Sequence, residues 1–395
     1  MRIAVIGGKL QGLEAVYLAG KAGWETVVID RHKDAPAAKL ADRHLCLDVK
    51  QSSKLRHFLK GVDMIIPALE EYDALEKIVA LAEELSIPLA FDMDAYEISS
   101  SKRRSDALFA DLEIPFPRPW PDCDFPLIAK PAGSSGSEGV VYIGDENAFE
   151  LYQASTSAEE ERPVIQEYLD GPSYSLEVIG YAEKYLPLQV TGLEMDAGFD
   201  CKRVFAPAGL EREREKEFAR LAVKIAAAVK LKGIMDVEVI LHNDQLKVLE
   251  IDARLPSQTP ITVFHSSGIN MLELLASAFV KKSLDLQIVV KPSRAVIFEH
   301  IALKPGRLEV AGEHIMADAG PLTLVEDFFG ADEALTDYSP GQNCWVATLI
   351  ILASTIEKAR EKREAIIHDI KTVMHVNSCL DPAPEYCGKE LSGGD

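Results

Sequence analysis

The first ninety residues alternate short apolar runs with helix-like segments, and this alternation constrains the fold more than any other feature. The strand-like runs occupy residues 3–6, 26–29, 64–67 and 89–91. Helical patterns lie between them at residues 10–22 and 72–85. Parallel strands joined by crossover helices produce this order. The sequence therefore predicts an α/β fold that begins with a parallel sheet.

The length of 395 residues predicts two or three domains. Between residues 114 and 121 every second residue is proline, which forbids a helix and favours a stiff extended segment. This segment separates a predicted helix at 95–112 from a short β-rich unit. The last hundred residues again show an α/β pattern. The expected divisions are residues 1–95, 96–290 and 291–395.

Net charge excludes two classes of partner. The chain carries 42 basic and 63 acidic residues, a formal net charge of −21. Such a surface repels phosphate backbones and anionic lipid, so nucleic-acid and membrane binding are not expected. The six cysteines show no zinc-ligand spacing and make a poor disulfide framework, which favours a reducing, cytoplasmic location.

Two glycine-rich turns offer candidate phosphate sites. The first, residues 7–12, follows the first strand, and Asp30 ends the second strand. A glycine turn at the start of a helix can bind a phosphate, and an acidic residue after the second strand can bind a ribose. Close packing of the turn explains the glycines equally well. The second follows Lys130 and contains three glycines and three serines in residues 131–139. Its amides and hydroxyls, with the lysine charge, suit phosphate oxygens; the alternative is a mobile solvent loop.

An acidic hairpin is the most informative motif. A period of two places Glu250, Asp252 and Arg254 on one face of a strand, and it places Asp236 and Glu238 on one face of the preceding strand. Carboxylates gathered in one cleft repel one another unless a cation neutralises them. Oxygen ligands beside a phosphate-binding loop suit Mg²⁺.

The register of this hairpin decides whether the metal site exists. Glu238 and Glu250 share a face only if they pair directly, which predicts His242 opposite Leu246 and a three-residue turn at 243–245. A four-residue turn without a bulge would separate the two glutamates. The alternative is an exposed hairpin with a solvated acidic face.

In their order along the chain, these elements resemble the ATP-grasp superfamily. The spacings that support the resemblance are 28 residues from Lys102 to Lys130, twelve from Glu238 to Glu250, and two from there to Asp252. The resemblance implies an ATP-grasp fold with an N-terminal Rossmann-like pre-ATP-grasp domain, a mobile lid subdomain at about 122–168 and a C-terminal α/β domain. It also implies ATP and one or two Mg²⁺ ions, with Mn²⁺ as a possible substitute.

The resemblance also implies roles for individual residues. The metal ligands are Glu238, Glu250 and Asp252. The ATP-binding residues are Lys102, Lys130, Ser135, Gly136, Ser137, Glu138, Gln166, Glu167, Tyr168 and Leu169. Two positions depart from the family pattern: Asp252 stands where asparagine is usual, and Ser173 stands where a ribose-binding glutamate is usual. Glu177 or another acid is the expected replacement for that glutamate.

Three stretches resemble more narrowly the ligase family of pyrrolysine biosynthesis. They begin GGKLQGLE, PLIAKPAG and VLEIDARL. This resemblance implies an ATP-dependent carboxylate–amine ligase that releases ADP and forms an amide through an acyl phosphate. The implied substrates are (3R)-3-methyl-D-ornithine, or D-ornithine, and the ε-amine of L-lysine.

Substrate residues are expected at the C-terminal edge of the first sheet, where open α/β sheets bind ligands. Glu70, Glu71 and Tyr72 follow the strand at 64–67. Two carboxylates there suit a substrate with amino groups, and one could accept the proton that the lysine ε-ammonium must lose. The alternative is an acidic pair that stabilises a helix N-terminus. Further candidates for substrate contact are Leu10, Gln11, Ser257 and Thr262.

Arg254 and Lys130 are the expected catalytic residues, with Arg254 steadying the substrate carboxylate and then the oxyanion.

Other functions stay open at this point. The nearest are another ATP-grasp amino-acid or peptide ligase and a carboxyphosphate-forming carboxylase. More distant are an NAD-dependent dehydrogenase and a nucleotide sensor without catalysis. A homodimer is possible.

Overall fold

The computed structural model describes residues 1–133, 136–155, 163–288 and 290–384. The N-terminal unit is a four-stranded parallel sheet of order β3-β2-β1-β4, as the alternation predicts. Residues 89–91, predicted as a strand, form only a bridge between Leu89 and Ile65. The elements of the unit are β1 (Arg2–Ile6), α1 (Leu10–Lys21), β2 (Glu25–Asp30), β3 (Arg43–Cys46), α2 (Ser52–Leu59), β4 (Met64–Pro67) and α3 (Tyr72–Leu85).

The segment predicted as one helix at 95–112 forms two helices, α4 (Met93–Ser99) and α5 (Lys102–Asp111). The interruption falls at Ser100 and Ser101, and Ser101 has an extended backbone at φ −118°. Serine side chains compete for backbone hydrogen bonds and favour helix starts over helix interiors. The interruption places Lys102 at the first position of a helix, where its amide donates to Ala132 O at 3.1 Å.

The β-rich unit after the proline segment is a small antiparallel sheet of order β6-β5-β7. It has its own apolar core, in which the ring of Trp120 lies 5.4 Å from that of Phe125 and 5.2 Å from that of Phe149. A core separate from the main body suits a subdomain that moves as a unit. The elements are β5 (Leu127–Lys130), β6 (Val141–Ile143), α6 (Glu146–Ser155) and β7 (Val164–Glu167).

A twelve-stranded sheet forms the body of the molecule. Its first part comprises β8 (Ser173–Tyr181), β9 (Lys184–Pro187), β10 (Thr191–Met195), β11 (Cys201–Ala206), α7 (Arg212–Ala228), β12 (Gly233–His242), β13 (Gln245–Asp252), α8 (Thr259–Ser267) and α9 (Met271–Phe279). Its second part comprises β14 (Ala295–Lys304), β15 (Arg307–Val310), α10 (His314–Ala317), β16 (Thr323–Phe328), β17 (Ala331–Thr336), β18 (Trp345–Ala353), α11 (Ile356–Val373) and β19 (Ser378–Leu380).

One strand pair joins the two parts of this sheet. β11 and β14 are antiparallel neighbours, with Val204 opposite Phe298. The sheet therefore continues across the boundary expected at residues 290 and 291, and the C-terminal strands share the core of the central region. In the part of the chain that the structure describes, no helix is long and apolar enough to cross a membrane.

The hairpin of β12 and β13 pairs Glu238 directly with Glu250, as predicted. The predicted three-residue turn is wrong, because His242 pairs with Gln245 and the turn consists of Asn243 and Asp244. These two residues have φ of 48° and 62°, a conformation that asparagine and aspartate tolerate and that fits the twist of a hairpin. A bulge between Glu238 and its neighbour Val239 restores the pairing.

Helix α1 connects the N-terminal unit to the central sheet through a buried carboxylate. Glu14 Oε2 accepts a hydrogen bond of 2.9 Å from the amide of Ile261, in the first turn of α8. The amides of a first helical turn have no partner within their own helix, so a carboxylate from elsewhere satisfies one. Burial raises the pKa of Glu14 to about 8, although this hydrogen bond opposes the shift.

Candidate active site

Four carboxylates meet where β12 and β13 run side by side. The register places Asp236 opposite Asp252 and Glu238 opposite Glu250. Burial, and then the charge of Glu250, raises the pKa of Glu238 to about 8. Burial also raises the pKa of Asp252, to about 7. Glu238 and Asp252 therefore resist ionisation unless a cation lies beside them.

This donor set fits a divalent cation. Asp236 Oδ1 is buried and has no hydrogen-bond partner in the described part of the chain. An unsatisfied carboxylate oxygen among other acids is costly unless a cation compensates for it. Hard oxygen ligands of this type are those that Mg²⁺ prefers. Glu238, Glu250 and Asp252, beside Asp236, are the candidate ligands for the metal.

Two lysines lie beside the carboxylates. Lys102 Nζ is 3.5 Å from Glu250 Oε2. Lys130, at the end of β5, is only 6% exposed. Burial, more than any other cause, lowers its pKa, and the positive charge of Lys102 acts in the same direction while Glu250 opposes it. A buried ammonium of this kind is stabilised by an anionic ligand such as a phosphate.

The glycine- and serine-rich loop lies against this acidic face. Gly136 and Ser137 border a cavity of about 110 Å³ that Glu238, Glu250 and Asp252 also line. Ser137 Oγ donates a 2.6 Å hydrogen bond to Phe199 O, which holds the loop against the turn between β10 and β11. Glu138 follows in the same loop and is exposed. Ser135, predicted to bind phosphate, lies outside the described residues.

The segment predicted to bind adenine begins at the end of β7. Gln166 and Leu169 are buried, and the ring of Tyr168 stands at 90° to that of Tyr142, with 5.1 Å between the centroids. Ser173 begins β8. Glu177, expected as a replacement ribose ligand, is fully buried within β8 and presents no exposed atom to a ligand.

Glu167 connects the lid sheet to the acidic hairpin. Arg118 Nε donates to its Oε2 at 3.0 Å, and Lys247 of β13 donates to its Oε1. Burial raises the pKa of Glu167, but these hydrogen bonds outweigh burial and the net pKa is lowered. The carboxylate of Glu167 is therefore used for structural contacts.

Arg254 lies between the acidic hairpin and the N-terminal sheet. Its Nη2 is 2.9 Å from Asp252 Oδ2 and 2.9 Å from Glu70 Oε1. Gln11 Nε2 donates to the same oxygen of Glu70 at 2.8 Å. Arg254 Nε is buried and has no hydrogen-bond partner among the described residues. Although burial opposes it, the surrounding carboxylates raise the pKa of Arg254, so the guanidinium stays charged.

A cavity of about 390 Å³ lies at the C-terminal edge of the N-terminal sheet. This volume is within the range of small-molecule sites. The predicted substrate residues that line it are Leu10, Gln11, Glu70, Glu71 and Ser257. Tyr72 lines a neighbouring cavity together with Lys102 and Glu250, and its hydroxyl donates to Glu97 Oε1 at 2.6 Å.

Thr262 is wrongly predicted as a substrate contact. It is fully buried in α8, and its Oγ1 donates to Gln258 O at 2.9 Å, as serine and threonine often do within helices.

The first glycine turn is explained by packing. A Cβ on Gly7 would lie 2.0 Å from Ala68 O, and Asp30 Oδ2 accepts the amide of Gly8 at 2.7 Å.

One residue of this region is missing from the sequence-based candidates. Glu313 precedes α10 and lines both the 390 Å³ cavity and the 110 Å³ cavity. It lies 61 residues beyond Asp252 and belongs to no recognisable motif. The pairing of β11 with β14 brings the C-terminal strands to the site, and the hydrogen bonds from the amides of Gly312 and His314 to Asp196 and Asp200 hold this glutamate there.

A lid sheet with a buried lysine, placed over a hairpin with clustered carboxylates, defines an ATP-grasp enzyme. Residues 99–258 match the family described as ATP-grasp domain, and residues 3–89 match the family described as PylC-like, N-terminal domain. The chain is 38% identical over 318 residues to the 3-methyl-D-ornithine–L-lysine ligase of Methanosarcina acetivorans, covering 80% of this chain and 84% of that protein. The corresponding ligase of Methanosarcina barkeri is 36% identical, with the same coverage.

Solved structures agree on the fold. N5-carboxyaminoimidazole ribonucleotide synthetase in complex with ADP superposes with a TM-score of 0.71 at 15% identity, covering 94% of this chain and 97% of that chain. The L-amino acid ligase from Bacillus licheniformis superposes with a TM-score of 0.66 at 17% identity, covering 92% and 96%. The predicted ATP-grasp fold is confirmed.

The chain belongs to the 3-methyl-D-ornithine–L-lysine ligase family of ATP-grasp enzymes. It is an ADP-forming ligase of the C–N type and uses ATP and Mg²⁺. The predicted enzyme class is therefore confirmed, and the dehydrogenase alternative has no support.

Proposed function

We propose that the protein joins the carboxylate of (3R)-3-methyl-D-ornithine to the ε-amine of L-lysine at the expense of ATP. The observation that carries this proposal is the acidic lining of the 390 Å³ cavity. Five carboxylates line this cavity: Asp30, Asp48, Glu70, Glu71 and Glu313. The basic side chains that line it are Lys9, Arg31 and His32. Both proposed substrates are diamino acids, and such a lining attracts their ammonium groups. The relatives that carry this name supply the identity of the pair.

Nucleotide and metal are assigned to the lid side of the site. Lys102 and Lys130 bind the phosphates of ATP, together with the loop around Ser137. Glu238, Glu250 and Asp252 hold one or two Mg²⁺ ions, and Mn²⁺ is a possible substitute because it also accepts oxygen ligands. The metal, when bound, neutralises charge on the phosphates during transfer. Glu138, Gln166, Tyr168 and Leu169 remain proposed nucleotide contacts.

The chemistry proceeds in two transfers. A carboxylate oxygen of the first amino acid attacks the γ-phosphorus, and the bond to the departing ADP oxygen breaks. The amine nitrogen of the second amino acid then attacks the acyl carbon, and inorganic phosphate leaves. Arg254 Nε has no hydrogen-bond partner within the part of the chain that the structure describes, which suits this residue to steady the carboxylate and then the oxyanion.

The substrate pair is tested by mass spectrometry of the products. The protein is incubated with ATP, Mg²⁺, L-lysine and either 3-methyl-D-ornithine or D-ornithine. We expect one product with the mass of the two amino acids minus water, and one ADP for each product molecule. Release of phosphate with bicarbonate but not with the amino acids would instead indicate a carboxylase, and a product from other amino-acid pairs would indicate a general amino-acid ligase. The cytoplasmic location and the homodimer stay predictions.

A further inference from the structure

Glu313 stands where the two cavities of the site meet. Together with Ser257 it lines both the 390 Å³ cavity, assigned above to the amino acids, and the 110 Å³ cavity, which contains the carboxylate cluster and the phosphate loop. No other residue of the described chain lines both of these cavities. With the phosphate assigned to one cavity and the amino acids to the other, an amine that attacks an acyl phosphate would have to cross this junction.

Two neutral donors orient the Glu313 carboxylate. Ser257 Oγ donates to Oε2 at 2.6 Å, and Gln258 Nε2 donates to the same oxygen at 2.9 Å. The Gln258 backbone has φ of 70°, and the start of α8 follows it directly. Oε1 makes no hydrogen bond to the described part of the chain. One oxygen is therefore fixed, and the other is available to a ligand.

The other glutamates of the cavity are already matched by cations. Glu70 lies 2.9 Å from the guanidinium of Arg254. Glu71 is exposed and pairs with Lys50 and Arg31, and the hydrogen bond from Lys50 lowers its pKa. A carboxylate with a lowered pKa is a poor proton acceptor, so Glu71 does not fit the role expected for it from sequence.

Glu313 differs from both in its surroundings. It is half-buried, its hydrogen bonds come from neutral groups, and desolvation raises its pKa even though those hydrogen bonds oppose the shift. A partly desolvated carboxylate with no cation in hydrogen-bond contact among the described residues gains from a ligand ammonium. A raised pKa of Glu313 is also closer to the pKa of the ammonium whose proton Glu313 would accept.

We propose that Glu313 binds the attacking ε-ammonium of the second amino acid at the junction of the two cavities and accepts its proton. This inference rests on the proposed function. The ammonium transfers one proton to the Glu313 carboxylate, and the neutral nitrogen forms a bond to the acyl carbon. The bond from that carbon to the phosphate oxygen breaks, and the second proton lost by nitrogen leaves with the phosphate.

The test separates formation of the acyl phosphate from attack by the amine. Hydroxylamine is a small nucleophile that is neutral at pH 7.5 and needs neither an ammonium site nor a base. It converts the acyl phosphate of D-ornithine into a hydroxamate. In Glu313→Gln we expect hydroxamate formation near the wild-type rate and coupling to L-lysine reduced at least about 100-fold, the contribution of a typical general base.

A second readout uses pH. The lysine ε-amine has a pKa of about 10.4, so a larger fraction is neutral at higher pH. The coupling rate of Glu313→Gln should therefore rise more steeply between pH 7.5 and 9.5 than that of the wild type. Glu309→Gln, on β15 and paired with Lys304, is the matched control and should behave as the wild type in both assays.

The outcomes distinguish the two proposals. An equal loss of hydroxamate and amide in Glu313→Gln, or no loss of either, overturns the role of Glu313. Absence of both products in the wild type overturns the proposed function itself. If Glu313→Gln lacks a cooperative thermal transition, Glu313→Asp replaces it, because the shorter carboxylate should impair lysine coupling and spare the hydroxamate. Equal losses in that variant would also overturn the proposal.

Discussion

Arg254 Nη2 lies 2.9 Å from Glu70 Oε1, and this ion pair joins the acidic hairpin to the edge of the N-terminal sheet. The same nitrogen lies 2.9 Å from Asp252 Oδ2. One guanidinium thus contacts both a proposed metal ligand and a residue of the amino-acid cavity.

Arg254→Ala should lower kcat by about 100- to 1,000-fold, because it removes a donor to the developing oxyanion. The affinity for ATP should change much less, since the phosphates are assigned to Lys102 and Lys130. Steady-state kinetics and calorimetric titration with an ATP analogue measure the two effects. Arg212→Ala, at the exposed start of α7, is the control. A large loss of nucleotide affinity with unchanged kcat would contradict the assignment.

Glu250→Gln should abolish amide formation and remove the stabilisation that Mg²⁺ and ADP confer. A ligand that binds only the folded protein raises the melting temperature, and the variant loses a charged ligand to the metal. Thermal unfolding with and without Mg²⁺ and ADP measures this. Asp111→Asn, on an exposed carboxylate at the end of α5, should keep the full shift. Normal turnover in Glu250→Gln would remove it from the metal site.

Glu14 makes stability fall as pH rises. Its pKa is about 8 in the folded protein against an ordinary value of 4.5, so the folded state holds a proton that the unfolded state releases between these values. The stabilisation is complete below pH 4.5 and is lost as pH rises to about 8. Glu14 contributes at most about 5 kcal/mol to the free energy of unfolding, because each unit of pKa difference corresponds to about 1.4 kcal/mol.

Glu14→Gln should remove the part of the pH dependence that Glu14 contributes, since the amide oxygen still accepts from Ile261 and carries no charge. We expect the melting temperature of the variant to decline less than that of the wild type between pH 5 and 8. Thermal unfolding in a series of buffers measures the difference. Glu83→Gln, on the surface of α3, should follow the wild type, and parallel curves for Glu14→Gln and the wild type would refute the prediction.

Ser137→Ala should raise the KM for ATP several-fold while leaving the melting temperature nearly unchanged. It removes the hydrogen bond to Phe199 O that holds the phosphate loop against the acidic face, and one such bond contributes about 1 kcal/mol. Initial rates at varied ATP concentration give the KM. Ser155→Ala at the end of α6 is the control, because its Oγ donates only within its own helix. An unchanged KM in Ser137→Ala would show that the loop is held by other contacts.

The sequence predicts those parts of the fold in which neighbouring segments interact. Alternation at short range predicts β1, β2 and β4, and the period of two predicts the acidic face of the hairpin. The length of the turn was not predictable, because a three-residue turn without a bulge and a two-residue turn with one bulge both pair Glu238 with Glu250. With the observed two-residue turn, a regular ladder would place Glu250 opposite Val237, in the core. The bulge beside Val239 corrects this, and nothing in the local pattern marks it.

Contacts between distant segments account for the remaining errors. Glu313 reaches the site through the pairing of β11 with β14 and through the hydrogen bonds of Gly312 and His314 to Asp196 and Asp200, all between segments far apart in sequence. Thr262 carries a plausible functional group, but the orientation of α8 turns it into the core. Ser100 and Ser101 interrupt a helical pattern whose apolar spacing continues across them.

The ion pairs of Glu167 attach the lid sheet to the acidic hairpin at one end. Arg118 and Lys247 contact this carboxylate at β7, whereas Ser137 contacts the body through a neutral hydrogen bond to Phe199 O. The two attachments therefore differ in kind, one charged and one neutral. Removing the charge of Glu167 should loosen the lid sheet beside the proposed adenine segment and leave the contact of Ser137 in place.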